Sequence, residues 1–182
     1  MTATFSQIFI QVVFSVKSRK NLIPQENLTE VFEYIAGIIR NKGQKPIIVG
    51  GGSNHIHALI GLKPGITVFA LVRDIKNNSA NFINQQDWLK EKFSWQNGFG
   101  AFSYGNSQIE KVNDYIRNQA EYHKTKTFRE EFVAFLEIFE VEYEEKGLPP
   151  DVEEDLVMSN YRIINCGITH HSLILMVCFF TF

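Results

Sequence analysis

Residues 54–60 read NHIHALI, and this short run sets the reading of everything around it. His55 and His57 stand one residue apart in an aliphatic segment, 55–62, that reads as a strand. Alternation sends both imidazoles out of one face, while Ile56 and Ala58 point the other way and can meet a helix. A strand with one apolar face and two histidines on the other calls for a sheet covered by helices.

Working outward, residues 46–49 form a short β-branched run that Gly50, Gly51 and Gly52 are expected to break. Residues 5–16, FSQIFIQVVFSV, read as a long strand with polar breaks at Ser6 and Gln11. Leu28, Val31, Phe32, Ile35 and Ile38 recur at helical spacing until Gly43, and a second amphipathic helix is expected over 67–84. Residues 101–104 suggest a short strand after a Gly-rich loop. A third helix is expected from Ser107, capped with Glu110, to about Lys124, and a fourth over roughly 128–138. The order β-α-β-β-α-β-α-α predicts an α+β fold: a small antiparallel sheet with helices packed on one face, a ferredoxin-like or RRM-like sandwich.

The chain has 182 residues, 45% hydrophobic and 21% charged, enough for one buried core and unlike collagen or low-complexity sequence. Its net charge of -2 hides a division. Residues 1–129 carry 16 Lys/Arg against 9 Asp/Glu, a balance of +7, and residues 130–182 carry 2 against 11, a balance of -9. The first two-thirds can face a polyanion. Pro149-Pro150 and an acidic run mark the expected end of the compact domain, giving a domain at 1–147 and an irregular acidic, then apolar tail at 148–182. Residues 172–182 are too short to span a bilayer, no signal peptide is read, and Cys166 and Cys178 read as free thiols, so a cytoplasmic protein is expected.

Two imidazoles on one strand face can share a cation, although an HxH pair is also common as a structural feature. Tyr115, Gln119 and His123 follow at spacings of four and form a polar helical stripe that could complete such a site. The same stripe also reads as a half-buried tyrosine beside two wet polar residues. Lys17, Arg19, Lys20, Arg73 and Lys76 are candidates to neutralise phosphates, and Trp95, Phe99 or Tyr104 to stack on an unpaired base; taken singly, each also reads as an ordinary surface cation or a core aromatic.

Three segments in order, NHIHALI, FSWQNGFGAFS and YIRNQAEYH, together with the opening QIFIQVVFSVKSR, resemble the single-tyrosine (HUH-type) transposases of bacterial insertion sequences and REP elements. The resemblance implies that His55 and His57 are paired metal ligands, Tyr115 the nucleophile and Gln119 the residue completing the metal site. It leaves His123 an auxiliary position. Asn54 stands where the family often carries an acidic residue. Also implied are Mg²⁺ or Mn²⁺ as cofactor, single-stranded DNA with a hairpin as substrate, and a homodimer with active sites that can be composite. The expected enzyme is a DNA transposase and endonuclease working through a 5′-phosphotyrosine, associated with the nucleoid when bound to DNA. The competing reading is a cleavage-inactive or domesticated hairpin-binding protein that regulates an element or a repeat.

Overall fold

The computed structural model describes residues 5–18 and 22–150. Four strands, β1 (Ile8–Ser15), β2 (Lys45–Gly52), β3 (His55–Leu62) and β4 (Gly100–Tyr104), form one sheet in the order β2-β3-β1-β4. Every neighbouring pair is antiparallel. Two split β-α-β units account for this order: α1 (Leu28–Asn41) carries the chain from β1 to β2, and α2 (Val68–Asn84) from β3 to β4. The expected α+β, ferredoxin-like sandwich is the one observed.

Alternation along the strands creates two cores. Ile10, Val12, Phe14, Ile56, Ala58 and Ile60 meet α1 and α2 on one face. The sequence places helices on that face only. The opposite face is covered as well, by α3 (Ile109–Arg117), α4 (Gln119–Tyr122) and α5 (Phe128–Ile138), over Val13, Leu59, Phe102 and Tyr104. Leu148 packs into this second core, and the Pro149 carbonyl accepts from Arg129. His55, His57 and Gln11 belong to this second face, in register with Ser15, Val13 and Leu59.

Two local expectations change. The glycine triplet does not end β2: Gly50, Gly51 and Gly52 pair with His57, Ile56 and His55. A Cβ on Gly50 would lie 2.9 Å from both the side chain and the carbonyl oxygen of Ile116, and one on Gly51 (φ 141°) would lie 2.3 Å from the His55 carbonyl oxygen. Gly50 therefore lets α3 settle onto the strand beside the histidines, and Gly51 lets β2 approach the His55 carbonyl. The third helix is not continuous either. It breaks at Asn118 (φ -98°, ψ 20°), whose side-chain amide donates to the Asp114 carbonyl. A 3-10 turn over Asn106–Gln108 precedes α3, and there the Gln108 side chain accepts from Gly105 N, so the expected Ser107–Glu110 capping box is replaced. Among the described residues no helix is long and apolar enough to cross a membrane.

Candidate active site

β3 presents His55 and His57 side by side, 1% and 0% exposed, with ring centroids 5.0 Å apart. Phe128 stacks on His55 at 4.3 Å. Burial, then the neighbouring His57 and His123, holds His55 well below the usual imidazole range, so it is neutral and fit to be a ligand. Asn54 Oδ1 lies 2.6 Å from His55 Nδ1 and accepts a hydrogen bond from its N–H. His55 Nε2 is thereby left with a lone pair, and it faces Gln119 Oε1 at 3.1 Å.

His123 repeats the pattern. Its Nδ1 donates to the Lys126 carbonyl at 2.8 Å, leaving Nε2 against Gln119 Oε1 at 2.8 Å and Glu131 Oε2 at 3.2 Å. Burial lowers this imidazole's pKa also. Acceptors thus confront acceptors around the Gln119 oxygen. Turning that amide round only moves the conflict, because its nitrogen already donates to Glu131 Oε1 at 2.9 Å. A cation shared by these atoms removes the conflict.

Glu131 is the residue that sequence reading missed. It is 1% exposed, it accepts from the Tyr115 hydroxyl, and its Oε1 lies 3.3 Å from His57 Nε2. Among the described residues, His57 Nε2 and Glu131 Oε2 are buried without a well-formed hydrogen bond. His55, His57 and Glu131 can each bring a ligand atom within 4.8 Å of the others. Cis ligands of a six-coordinate hard cation are about 3.0 Å apart for bonds of about 2.1 Å. The 3.3 Å between His57 Nε2 and Glu131 Oε1 is close to that spacing. Glu131 was legible in principle: Phe128, Phe132 and Phe135 bracket it on the buried face of α5, a face that otherwise carries no charge. Thr127 and Glu130 form a reciprocal capping box that fixes where α5 begins.

A second relay holds His57 from behind. Tyr104 donates to Gln11 Oε1 at 2.7 Å, and Gln11 Nε2 lies 2.8 Å from His57 Nδ1. With the amide nitrogen donating, the His57 proton sits on Nε2, toward Glu131. With the amide reversed, Gln11 accepts from Nδ1–H and Nε2 becomes a ligand. Burial first, then the Glu131 charge, raises the Tyr104 hydroxyl far above the ordinary phenol range.

The structure thus brings His55, His57, Tyr115, Gln119, His123 and Asn54 together. The expected DNA contacts are scattered. Lys17 is exposed, and Arg19 and Lys20 lie outside the described residues, as does the tail from residue 151. Arg73 is exposed beside Asp74. Lys76 donates to the Gln96 and Gly98 carbonyls at 2.5 and 2.6 Å, and burial lowers its ammonium to about 8. Trp95 does not form a stacking platform: it is 7% exposed and its indole N–H donates to Ser79. Tyr104 is committed to Gln11.

Residues 4–119 match the family described as "Transposase IS200 like". The chain belongs to the IS200-like transposase family. These are the single-tyrosine (HUH-type) transposases, and the matched span takes in both histidines and Tyr115, ending on Gln119. His123 and Glu131 lie beyond it. No curated protein matches the chain. Among solved structures, a chain from Deinococcus radiodurans R1 assigned as a transposase shares the fold, with a TM-score of 0.50 at 15% identity over 65% of this chain and 95% of that one. A REP-associated tyrosine transposase bound to a REP hairpin gives a TM-score of 0.49 at 17% identity, covering 68% of this chain and 73% of its own. In this IS200-like transposase the histidine pair and Glu131 form a cluster able to hold a divalent cation beside Tyr115.

Proposed function

We propose that this chain cuts and rejoins single-stranded DNA through Tyr115. One observation carries the reading: the Tyr115 hydroxyl and the Gln119 amide both donate to the carboxylate that approaches His57, so nucleophile and candidate metal ligands meet at one point. His55, His57 and Glu131 would hold Mg²⁺ or Mn²⁺, with Gln119 adjoining. When bound, that ion would polarise the scissile phosphate and offset its charge. Glu131 orients the Tyr115 hydroxyl and is the acceptor already in place for its proton. The phenolate oxygen attacks phosphorus as its proton passes to Glu131, the bond to the 3′ oxygen breaks, and that oxygen takes a proton from solvent and leaves as a hydroxyl. The 5′ phosphate stays on Tyr115 until another 3′ hydroxyl reverses the step. The bond energy is kept, which accords with the lack of a P-loop motif in the sequence.

A hairpin beside the cleavage site, a homodimer and action in the cytoplasm are part of this proposal. The compact catalytic unit, expected at residues 1–147, would extend through Leu148 and Pro149, which pack or bond to it, with the tail following them. Tyr115 lies against the histidines of its own chain, ring centroids 6.1 Å apart from His57, which favours a cis site. One observation supports the competing, cleavage-inactive hairpin binder: His57, Gln119 and Glu131 are sealed at 0%, 1% and 1% exposure, so α5 must shift before a phosphate can reach them. Labelled hairpin oligonucleotides with Mn²⁺, resolved on a denaturing gel, separate the two. A covalent adduct that disappears in Tyr115→Phe supports cleavage; an adduct that persists overturns the assignment, and binding without any adduct supports the competitor.

A further inference from the structure

A second cleft lies outside the histidine face. It is about 420 Å³ in volume, between the face of α2 from Phe69 to Ala80 and the loop at residues 94–99. Phe69 opens it: at 66% exposure it is among the most exposed large apolar side chains described. Its ring stands 6.5 Å from that of Phe99, inclined at 44°, and Arg73, Asn77 and Asn97 also line the cleft, with the exposed Arg73 guanidinium donating to Asp74 through Nε and Nη2. One exposed phenylalanine is ordinary on a protein surface. Two neighbouring rings beside a cation and two amides are the furniture of a stacking site for an unpaired base.

The loop that forms one wall is firmly held. Lys76 ties down the Gln96 and Gly98 carbonyls from α2. Gln96 N donates to the Ser15 carbonyl, the Ser15 hydroxyl donates to Gln96 Oε1 at 2.6 Å, and Gln96 Nε2 donates to the Leu148 carbonyl. Ser15 is the register partner of His55. The loop is therefore fixed relative to the metal cluster. On its far side lies another cavity, about 300 Å³, lined by Ser15, Phe99 and Phe128, and Phe128 is the ring stacked on His55. A strand leaving the histidine face needs to cross only residues 96–99 to reach the cleft.

We propose that the Phe69–Phe99 cleft takes one unpaired nucleobase of the single strand, with Arg73 on the adjoining phosphate. This rests on the single-strand reading above and adds to it a subsite that the charge of the sequence alone does not locate. The rings supply stacking that every base can use. The amides of Asn77 and Asn97 offer donors and acceptors at the base edge.

The test uses the full chain and a hairpin oligonucleotide with 2-aminopurine walked through its single-stranded flank. Binding is followed by anisotropy and stacking by quenching of the probe. One probe position is expected to be strongly quenched in the wild-type chain. Phe69→Ala and Phe69→Leu should both abolish that quench and weaken single-strand binding by about 5- to 150-fold, the range for loss of one stacked base, while Phe69→Trp keeps both. Phe69 is exposed, so these variants should fold, and unchanged circular dichroism checks it. If the oligonucleotide binds but Phe69→Leu keeps the quench and the affinity, the cleft assignment is overturned and the single-strand reading stands. If the wild-type chain binds no single strand, both fall.

Discussion

The Tyr115 hydroxyl donates to Glu131 Oε1, joining a residue inside the family match to one outside it. The same carboxylate is buried, lies 3.3 Å from His57 Nε2, and has an Oε2 without a well-formed hydrogen bond among the described residues. A buried carboxylate costs stability unless a cation joins it. Glu131→Gln keeps the shape and removes the charge. The metal-free variant is expected to melt at or above the wild-type temperature. Mn²⁺, which should raise the wild-type melting temperature through linkage, is expected to lose more affinity than the roughly 10- to 100-fold that removing a ligand's outer partner costs. Calorimetric titration and thermal melts read both quantities. A metal-free Glu131→Gln that melts far below wild type with Mn²⁺ affinity intact would make Glu131 a structural residue only.

His55 predicts an acid dependence of the metal-free fold. Its folded pKa lies well below the ordinary 6.5, because burial and then the other histidines oppose its charge. Below about pH 6.5 the unfolded chain takes up a proton at this position and the folded chain does not. The unfolded state then binds more protons, so stability falls as pH falls. The contribution is fully present above pH 6.5. Urea melts between pH 7.5 and 5 should show this slope, and His55→Gln should flatten part of it. An unchanged slope in the variant would mean that other groups carry the acid sensitivity.

Gly50 faces Ile116, the residue after the tyrosine, with no room for a methyl group. Gly50→Ala would press on a backbone oxygen as well as a side chain, so trimming Ile116 cannot fully relieve it. The expected loss is about 1–3 kcal/mol of stability, with an outward shift of α3 that separates Tyr115 from the histidines. Chemical denaturation measures the first effect and the rate of adduct formation the second. A variant of wild-type stability would show that α3 does not sit this close to β2.

The histidine strand and α5 were legible because their patterns are periodic and local. His55 and His57 alternate with Ile56 and Ala58, and the phenylalanines at 128, 132 and 135 repeat at helical spacing. What escaped depends on partners far along the chain. Gly50 reads as a strand breaker until Ile116 is known to lie above it. Glu131 reads as part of a solvated acidic stretch until Tyr115 and His57 are folded onto it. Trp95, among glycines and aromatics, reads as either a stacking candidate or a core residue until Ser79 is seen to take its indole N–H in the core. Phe69 reads as one more apolar residue of α2, although its ring is the one left outside.

The relay from Tyr104 through Gln11 to His57 gives a prediction in which stability and metal binding part company. Gln11 is 0% exposed, so Gln11→Leu strands the Tyr104 hydroxyl and His57 Nδ1 together. Each orphaned buried group costs about 1–3 kcal/mol. Adding Tyr104→Phe removes one orphan and should recover part of the lost stability. It cannot restore the hydrogen bond that sets the His57 tautomer and ring orientation. Mn²⁺ affinity is therefore expected to stay about 10- to 100-fold below wild type in both the single and the double variant. Denaturant melts and calorimetry on the same preparations distinguish the two effects. Recovery of metal affinity along with stability in the double variant would show that Gln11 serves the core rather than the histidine.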